Sequence, residues 1–487
     1  MAEPVVNPYT RVIFELPEGR PNAYIEPIEG DVDIPSHLLR KDLPIGNWDE
    51  PTVVRHFVGL SQKNFSVDTN FYPLGSCTMK YNPKVNEDIA RRPEVVSRHP
   101  HLISEGIEKL IEDLLRIVYE LEQMLISLTG MARFTFQPMA GANGEFCGIS
   151  LISAYHRKRN DRRRFIIVPD SAHGTNPASA TLGGYEVINV KTTETGYLTL
   201  DAIRPYLNRD CAGLMLTSPN TLGLFNPEID KISQALHDVG ALLYYDGANF
   251  NALMGWVKPA DLGFDIVHLN LHKSFSTPHG SGGPGAGPVG VVDELVEFLP
   301  VPLVEKAEDG RFYLNWDLPS SIGKISPFLG NFAVLVRAYV YLLSLGLEGV
   351  REATLMAVAN ANYLREKIKN LLHIPYDIVC MHEFVASVEE LKQEQGITAM
   401  DIAKALIDKG IHPPTVYFPL IVKEAMMIEP TETESKFTLD YFIDALKDII
   451  RLSKDDLKMA PRNTGVSRPD EVKAVKDMDV CYCKRGR

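Results

Sequence analysis

Between residues 141 and 295 the chain alternates short apolar runs with amphipathic stretches, and this rhythm limits the possible folds more than any other feature. The apolar runs have the length of β-strands, and the stretches between them have the periodicity of helices. Such alternation predicts an α/β fold: a mostly parallel sheet wrapped by helices, with functional residues beyond the carboxyl ends of the strands. The predicted strands are Phe165–Pro169, Glu186–Val190, Gly213–Thr217, Ala241–Tyr245, Ile266–Leu269 and Val289–Val292.

Helical periodicity predicts the elements that cover this sheet and those that follow it. The clearest case spans Gly106–Thr129, where apolar residues recur at helical spacing and Gly130 is placed to end the helix. The other predicted helices are Glu145–His156, Leu200–Leu207, Ile229–Val239, Asn331–Leu345 and Thr354–Leu371.

A change from alternating elements to long helices near residue 330 marks a second domain. We predict an N-terminal arm and extension over residues 1–85, a large domain over 86–345 and a smaller α+β domain over 346–487. Residues 1 to about 60 are rich in proline and charge and have little periodicity. This composition favours an extended arm around a partner or, equally well, a mobile tail.

Composition places the chain among soluble globular proteins. Its 487 residues are 45% hydrophobic and 23% charged, and the net charge of −13 argues against nucleic-acid binding, which favours a basic surface. The first residues do not resemble a signal peptide, and no apolar run reaches the roughly 18–20 residues that span a membrane. The six cysteines have no disulfide or zinc-site spacing, Cys481 and Cys483 included. We therefore predict a cytoplasmic protein in a reducing compartment, without membrane or nucleic-acid partners.

An aspartate and a lysine follow two successive predicted strands. Asp246 ends the apolar run at 241–245, and Lys273 lies just after the run at 264–269, before a glycine-rich loop. Pyridoxal 5'-phosphate (PLP) enzymes need both groups: the lysine amine forms a Schiff base, and the carboxylate keeps the pyridine nitrogen protonated. An alternative role for Asp246 is to cap the next helix, but a carboxylate after five apolar residues is more typical of a buried, partnered group.

Other strand ends supply candidate partners for such a cofactor. The segment Gly141–Glu145 is rich in small residues and begins a predicted helix, where backbone N–H groups favour a phosphate. His173 follows another strand and could lie flat on the pyridine ring, although a histidine there is by itself more often an ordinary hydrogen-bonded residue. Thr217 begins a polar segment that either reaches the ring or forms a proline-directed turn. We also include Asn249 and His272, which flank Asp246 and Lys273.

Three further segments have less certain roles. Gly280–Gly285 matches GxGxxG, but it precedes a strand rather than a helix, so we reject a dinucleotide site there. Phe71–Pro83 is predicted as a turn-rich loop, in which Cys77 is structural or reactive. Met427–Lys436 is predicted as a loop that caps the next helix and could line the site entrance.

Taken together, several segments resemble the glycine dehydrogenase (decarboxylating) family, the P-proteins of the glycine cleavage system. More narrowly, the chain is similar to the subunit 2 type, which matches only the C-terminal half of the full-length enzymes. The resemblance covers nearly the whole chain and is carried by Phe71–Pro83, Asp170–Pro177, Leu216–Phe225, His268–Gly290 and Glu429–Lys436.

The resemblance implies a fold-type-I PLP enzyme with Lys273 as the Schiff-base lysine, Asp246 as the pyridinium partner and His173 as the ring-stacking residue. It also implies that Ala142, Asn143 and Gly144 help to hold the phosphate. The implied reaction takes glycine and the oxidised lipoyl arm of H-protein, releases CO2 and leaves an aminomethyl group on the arm. A separate subunit 1 is implied as partner, in an αβ pair or an α2β2 heterotetramer.

Two other functions are compatible with parts of the sequence. Another fold-type-I enzyme, such as an aminotransferase or a cysteine desulfurase, would share Asp246 and Lys273 but not the segments at 71–83 and 429–436. A non-catalytic subunit would need neither the aspartate nor the lysine. The sequence alone does not identify a group that binds the substrate carboxylate.

Overall fold

The structure is a computed structural model that describes residues 7–16, 34–39, 46–100, 108–280 and 285–478. Its helices are α1 Glu50–Ser61, α2 Lys84–Ala90, α3 Pro93–Val96, α4 Glu108–Thr129, α5 Gly141–Lys158, α6 Asn176–Leu182, α7 Leu200–Ile203, α8 Ile229–Asp238, α9 Leu271–Ser274, α10 Phe332–Ile368, α11 Glu389–Gln395, α12 Ala399–Asp408, α13 Lys436–Ile450, α14 Lys454–Lys458 and α15 Glu471–Lys476. Its strands are β1 Arg133–Thr135, β2 Phe165–Pro169, β3 Glu186–Val190, β4 Cys211–Thr217, β5 Leu242–Gly247, β6 Ile266–Leu269, β7 Val289–Val291, β8 Leu303–Lys306, β9 Phe312–Asn315, β10 Phe384–Ser387, β11 Thr415–Val416 and β12 Ala425–Ile428.

The chain forms two compact units, Met1–Thr69 and Asn70–Arg487. In the first unit, helix α1 interrupts the predicted extended arm. Asp49 caps this helix by accepting a hydrogen bond from the backbone N–H of Thr52 at 2.8 Å. Because Val54 and Phe57 are exposed, α1 lacks the buried apolar stripe that would have revealed it in the sequence.

A seven-stranded sheet forms the centre of the second unit, in the order β1-β7-β6-β5-β4-β2-β3. Strands β3, β2, β4, β5 and β6 run parallel, and β7 pairs antiparallel with both β6 and β1. The predicted fold class, an α/β protein with a mostly parallel sheet, is confirmed. The predicted strands all occur, and the short strand β1 is an addition to them.

Both faces of this sheet are covered, so successive side chains along a strand enter different cores. In β5, Leu243 and Tyr245 pack in the core that includes α4 and α10, whereas Leu242 and Tyr244 pack in the core on the side of α5. This two-sided burial explains why the strands read as continuous apolar runs rather than as an alternating pattern. Gly130, with φ of 76°, ends α4 as predicted.

Helix α10 is longer than either of the two helices predicted there. It is interrupted at Gly346, whose φ of 61° lies outside the helical range. The two predicted helices therefore occur, but they are separated by this one residue rather than by the whole stretch between residues 345 and 354. Within the described chain, one helix, α10, is long and apolar enough to span a membrane when only length and composition are considered. Its buried residues contribute to two cores, as expected for a core helix.

A smaller three-stranded sheet, in the order β10-β12-β11, follows α10. Side chains of β10 and β12 pack with α12, α13 and the last turns of α10 in a separate apolar core. We call the part of the second unit that contains this sheet the smaller domain; that it is a separate α+β domain, with limits at residues 85 and 345, stays a prediction. Ser435 caps α13, as the sequence predicts for the end of the segment 427–436, but Met427 and Ile428 belong to β12 rather than to a loop.

Candidate active site

Three polar residues stand side by side at the carboxyl ends of neighbouring strands. In the parallel ladders, Thr217 of β4 is paired with Asp246 of β5, and Asp246 is paired with His268 of β6. Paired residues of adjacent strands point to the same face of a sheet. The local register of β4, β5 and β6 therefore assembles this row, and Lys273 follows in the short helix α9. We call Thr217, Asp246, His268 and Lys273 the strand-end group.

Asp246 is 1% exposed and fully partnered. Its Oδ2 accepts hydrogen bonds from Asn176 Nδ2 at 3.1 Å and Thr217 Oγ1 at 3.2 Å, and its Oδ1 accepts one from the backbone N–H of Ala248. His268 Nε2 lies 3.4 Å from the same Oδ1. Burial alone would raise the pKa of Asp246, but the neighbouring positive groups lower it below its ordinary value. Asp246 is therefore held as a buried carboxylate.

Lys273 is buried, and its Nζ donates a hydrogen bond of 2.7 Å to the backbone carbonyl of Ser76. Ser76 belongs to the 71–83 loop and has a left-handed φ of 69°. Its Oγ lies 3.0 Å from His173 Nε2, and its backbone N–H donates to Glu383 Oε2 at 2.7 Å. One residue of the loop therefore touches the lysine, the histidine and a glutamate of the smaller domain.

His173 lies at the same edge of the sheet, half-buried beyond β2. Its backbone N–H donates to Thr217 Oγ1 at 3.3 Å. Burial, together with the charge of Lys273, lowers the pKa of His173 to about 4. The ring is therefore neutral near pH 7 and suited to stacking on an aromatic ligand.

The amino-terminal end of α5 has features of an anion site. Its first residue follows Ala140, and no side chain caps the helix. Ala142 is exposed, while Asn143 Oδ1 accepts the backbone N–H of Met139 at 3.0 Å. The neighbouring backbone is tight, since a Cβ at Gly287 would lie 2.3 Å from the carbonyl oxygen of Ala140. Part of the predicted Gly280–Gly285 loop, residues 281–284, lies outside the described residues.

Two other predicted site residues are buried but differ in their contacts. Asn249 donates to the carbonyl of Pro219 at 2.9 Å and to Glu383 Oε1 at 3.3 Å. His272 Nδ1 accepts the backbone N–H of Ala286 at 3.4 Å. Asn249 therefore joins the strand-end region to the smaller domain, and His272 is directed to the chain that precedes β7.

Three residues of the smaller domain form a second cluster, which we call the glutamate group: His382, Glu383 and Glu429. All three are at most 1% exposed, and one ligand-type atom of each lies within 4.8 Å of the others. Glu429 Oε1 accepts hydrogen bonds from Thr78 Oγ1 at 2.6 Å and Asn251 Nδ2 at 3.1 Å. The 71–83 loop thus contacts both glutamates.

Lys80, also from this loop, is buried against Glu432. Its Nζ lies 2.7 Å from Glu432 Oε1 and donates to the carbonyl of Ser274 and the hydroxyl of Tyr341. Burial opposes the charge on Lys80, but Glu432 raises its pKa above the ordinary value. This ion pair connects the loop to α9, α10 and the segment after β12. Cys77 is a partly buried free thiol whose pKa is raised by burial.

Sequence reasoning placed Lys273, Asp246, His173 and Thr217 correctly at one edge of the sheet, but it missed several neighbours. His268 could have been found, because it occupies the position beside Asp246 in the next predicted strand. Ser76 and Glu383 could not, since their contacts depend on distant segments of chain.

Comparison with known proteins gives a consistent result. Residues 353–463 match the family model described as glycine dehydrogenase, C-terminal domain, and residues 147–283 match aminotransferase class-V. The chain is 51% identical over 488 residues to a "Probable glycine dehydrogenase (decarboxylating) subunit 2" of Caldanaerobacter subterraneus, covering 98% of this chain and 99% of that protein. It is 52% identical over 476 residues to the protein of the same name from Pyrococcus horikoshii, covering 96% and 94%.

Solved structures share the fold. A glycine decarboxylase (P-protein) of the glycine cleavage system, in inhibitor-bound form, superposes with a TM-score of 0.70 at 20% identity, covering 87% of this chain and 93% of that one. A cysteine desulfurase from Thermococcus onnurineus superposes with a TM-score of 0.59 at 14% identity, covering 79% and 95%. At these identities the superpositions establish the architecture alone.

Proposed function

This chain belongs to the family of glycine dehydrogenase (decarboxylating) subunit 2, a family of PLP-dependent enzymes, and we propose that it carries the reactive lysine of glycine decarboxylation. In the proposed reaction glycine loses its carboxylate as CO2, and its aminomethyl group passes to the oxidised lipoyl arm of H-protein. One observation supports this most directly: Asp246 in β5 and Lys273 in α9, just beyond β6, are both buried at one edge of the sheet, in a chain 51% identical to its relative over nearly its whole length.

The described residues fit PLP. An amine, a buried carboxylate and a helix without a side-chain cap are the groups that the cofactor's aldehyde, ring nitrogen and phosphate require. Buried polar atoms also remain without hydrogen-bond partners in the described chain, among them Asn176 Oδ1 and Thr277 Oγ1. Such atoms fit a polar ligand, because an unpaired buried polar group is otherwise costly.

Each predicted residue has a role in this proposal. Lys273 would hold the cofactor covalently through Nζ, and Asp246 would keep the proton on the pyridine nitrogen. His173, neutral near pH 7, would stack on the ring. The N-terminal turn of α5, with Ala142, Asn143 and Gly144, would bind the phosphate, and Thr217, Asn249 and His272 would complete the pocket. When bound, PLP supplies a ring that accepts the electron pair released at the substrate α-carbon.

The protein groups prepare this chemistry in specific ways. The carbonyl of Ser76 holds Lys273 Nζ at 2.7 Å, on the side where the 71–83 loop meets the site. Three donors form hydrogen bonds to the oxygens of Asp246, and His268 lies beside them, so the carboxylate stays ionised and oriented without solvent. Burial of the whole row excludes water from the reacting atoms.

The name of the relatives, subunit 2, implies a separate subunit 1. We propose that this chain assembles with subunit 1 as an αβ pair or an α2β2 heterotetramer and that the assembly receives lipoylated H-protein. A cytoplasmic location, predicted from the sequence, belongs to the same proposal.

The decisive experiment reconstitutes the chain with PLP, subunit 1, lipoylated H-protein and carboxyl-labelled glycine. We expect labelled CO2 to be released, and borohydride reduction followed by peptide mass mapping to fix the cofactor on Lys273. The matched control is Lys258→Ala, which removes an exposed lysine and should leave both results unchanged. Amino transfer to a keto acid without CO2 release would instead support the aminotransferase alternative.

A further inference from the structure

The glutamate group has no role in the proposed function as stated, although it lies beside Lys273. Ser76 makes the connection, because its carbonyl accepts from Lys273 Nζ while its N–H donates to Glu383 Oε2. Glu383 and Glu429 are fully buried, and no lysine or arginine in the described ranges forms an ion pair with either. Two carboxylates in such a place repel each other and favour a shared proton.

Hydrogen bonding shows which atom is free to release that proton. Both oxygens of Glu383 accept hydrogen bonds, from Ser76 N and Asn249 Nδ2. Glu429 accepts only at Oε1, and its buried Oε2 has no partner within the described chain. Both ring nitrogens of His382 are likewise unpartnered, although Nε2 lies 3.6 Å from Glu383 Oε1. The group therefore presents open polar atoms to a ligand.

We propose that Glu383 and Glu429 share one proton and that Glu429 delivers it to the sulfur that leaves when the lipoyl disulfide opens. This inference rests on the proposed function, which supplies the cyclic disulfide. The Cα–carboxylate bond of glycine breaks, and its electron pair ends in the new C–S bond. The S–S bond also breaks, and its pair stays on the second sulfur, which takes the proton and becomes a thiol. Glycine is oxidised by two electrons, the disulfide is reduced, and the pair regains its proton from solvent.

The surroundings of the pair agree with its holding a proton. Burial raises the pKa of Glu429 to about 7, and burial together with the charge of Glu429 raises the pKa of Glu383. Lys273 lowers both values without removing the upward shift. Within the described chain, the other titratable groups near the pair are Cys77 from the 71–83 loop, Cys380 and His382 before β10, and Glu432 after β12, which is paired with Lys80.

The glutamate group is poorly suited to a metal ion. Its three residues could each supply one ligand atom, but the positive charge of Lys273 lies near all three residues and disfavours a second cation beside them. The ammonium favours anionic or proton-sharing chemistry instead. A proton donor fits both the burial and the neighbouring charge.

The test uses the full assembly with subunit 1 and H-protein. We expect Glu429→Gln to lower kcat for CO2 release about 100-fold or more, with KM for glycine unchanged, since general acid catalysis typically contributes such a factor. The wild-type rate should fall as pH rises above about 7, and the variant should lose this dependence. Glu429→Asp, which retains a carboxyl group, should retain the pH dependence. Glu390→Gln, at an exposed glutamate, is the matched control.

A second readout needs no catalysis. Infrared spectra of the isolated chain at about pH 6 should contain a protonated-carboxyl band that is absent from Glu429→Gln. Circular dichroism and Tm of each variant establish that the fold is kept. If Glu429→Gln matches the wild type in kcat and pH profile while the wild type releases CO2, this inference alone fails. If the wild-type assembly releases no CO2, the proposed function fails and the inference fails with it.

Discussion

The strand-end group and the glutamate group both contact Ser76, but they are assembled by different kinds of contact. The strand-end group comes from three successive strands, so local pairing between β4, β5 and β6 is enough to assemble it. The glutamate group depends on contacts across 307 residues for Ser76 with Glu383 and 351 residues for Thr78 with Glu429. One half of the site is therefore a property of local register, and the other is a property of the whole chain.

The glutamate group and His173, whose backbone N–H donates to Thr217 of the strand-end group, respond to pH in opposite directions. The folded-state pKa of His173 is lowered to about 4, so the unfolded chain binds its proton first, and stability is lost as pH falls from about 6.5 toward 4. The folded-state pKa of Glu429 is raised to about 7, so its contribution is present at low pH and is lost as pH rises through that value. The following predictions test this contrast, from the largest effect to the smallest.

Replacing Lys273 by Ala removes the reactive amine from the strand-end group and leaves the glutamate group in place. We expect CO2 release to fall by at least about 1,000-fold, because the nucleophile is lost. Since Lys273 lowers the pKa of His173, the pKa of this histidine should rise. Kinetics and histidine NMR titrations measure the two effects. Unchanged activity would favour the non-catalytic alternative.

Replacing Asp246 by Asn breaks the strand-end group at its centre. The amide presents a donor where three donors already point, so activity should fall on the order of 100-fold. The free energy of unfolding should also fall by about 1–3 kcal/mol. Asp261→Asn, at an exposed aspartate, serves as control in kinetic and denaturation experiments. An active, stable Asp246→Asn enzyme would contradict the role assigned to this carboxylate.

Replacing Glu429 by Gln tests the glutamate group through stability. In the wild type, the pKa rise from 4.5 to about 7 weakens the fold by about 3 kcal/mol as pH increases through this range. The variant has no such group, so its free energy of unfolding should not show this loss. The variant should therefore become more stable relative to the wild type as pH rises. Urea denaturation between about pH 5 and pH 8 measures the difference. A constant difference would mean that Glu429 titrates normally.

Replacing Ser76 by Gly tests the junction between the groups. The substitution relieves a left-handed φ of 69° but removes the hydroxyl beside His173. These effects oppose each other at about 1 kcal/mol each, so we expect Tm to change little. The backbone bonds to Lys273 and Glu383 remain, and activity should be nearly kept. Ser76→Ala, which keeps the strain and loses the hydroxyl, should be the less stable of the two.

The sequence predicted the sheet and the placement of three members of the strand-end group, Thr217, Asp246 and Lys273, because these arise from short-range signals. Apolar runs predicted the five parallel strands. Asp246 and Lys273 were identified because they are polar residues that directly follow two of these runs. The sequence did not predict the position of Glu383, because this position depends on contacts with Ser76 and Asn249, which lie in separate segments. Helix α1 was missed for a different reason, namely that its apolar side chains do not face a core.

The ion pair between Lys80 and Glu432 has a consequence for synthesis. Its partners are 352 residues apart, so 352 further residues are synthesised after Lys80 before Glu432 can pair with it. The seven-stranded sheet can form during that time, since its last strand ends at Val291. The contacts of the 71–83 loop with Glu383, Glu429 and Glu432 can form only later. Completion of the active site therefore follows synthesis of the sheet that carries Asp246.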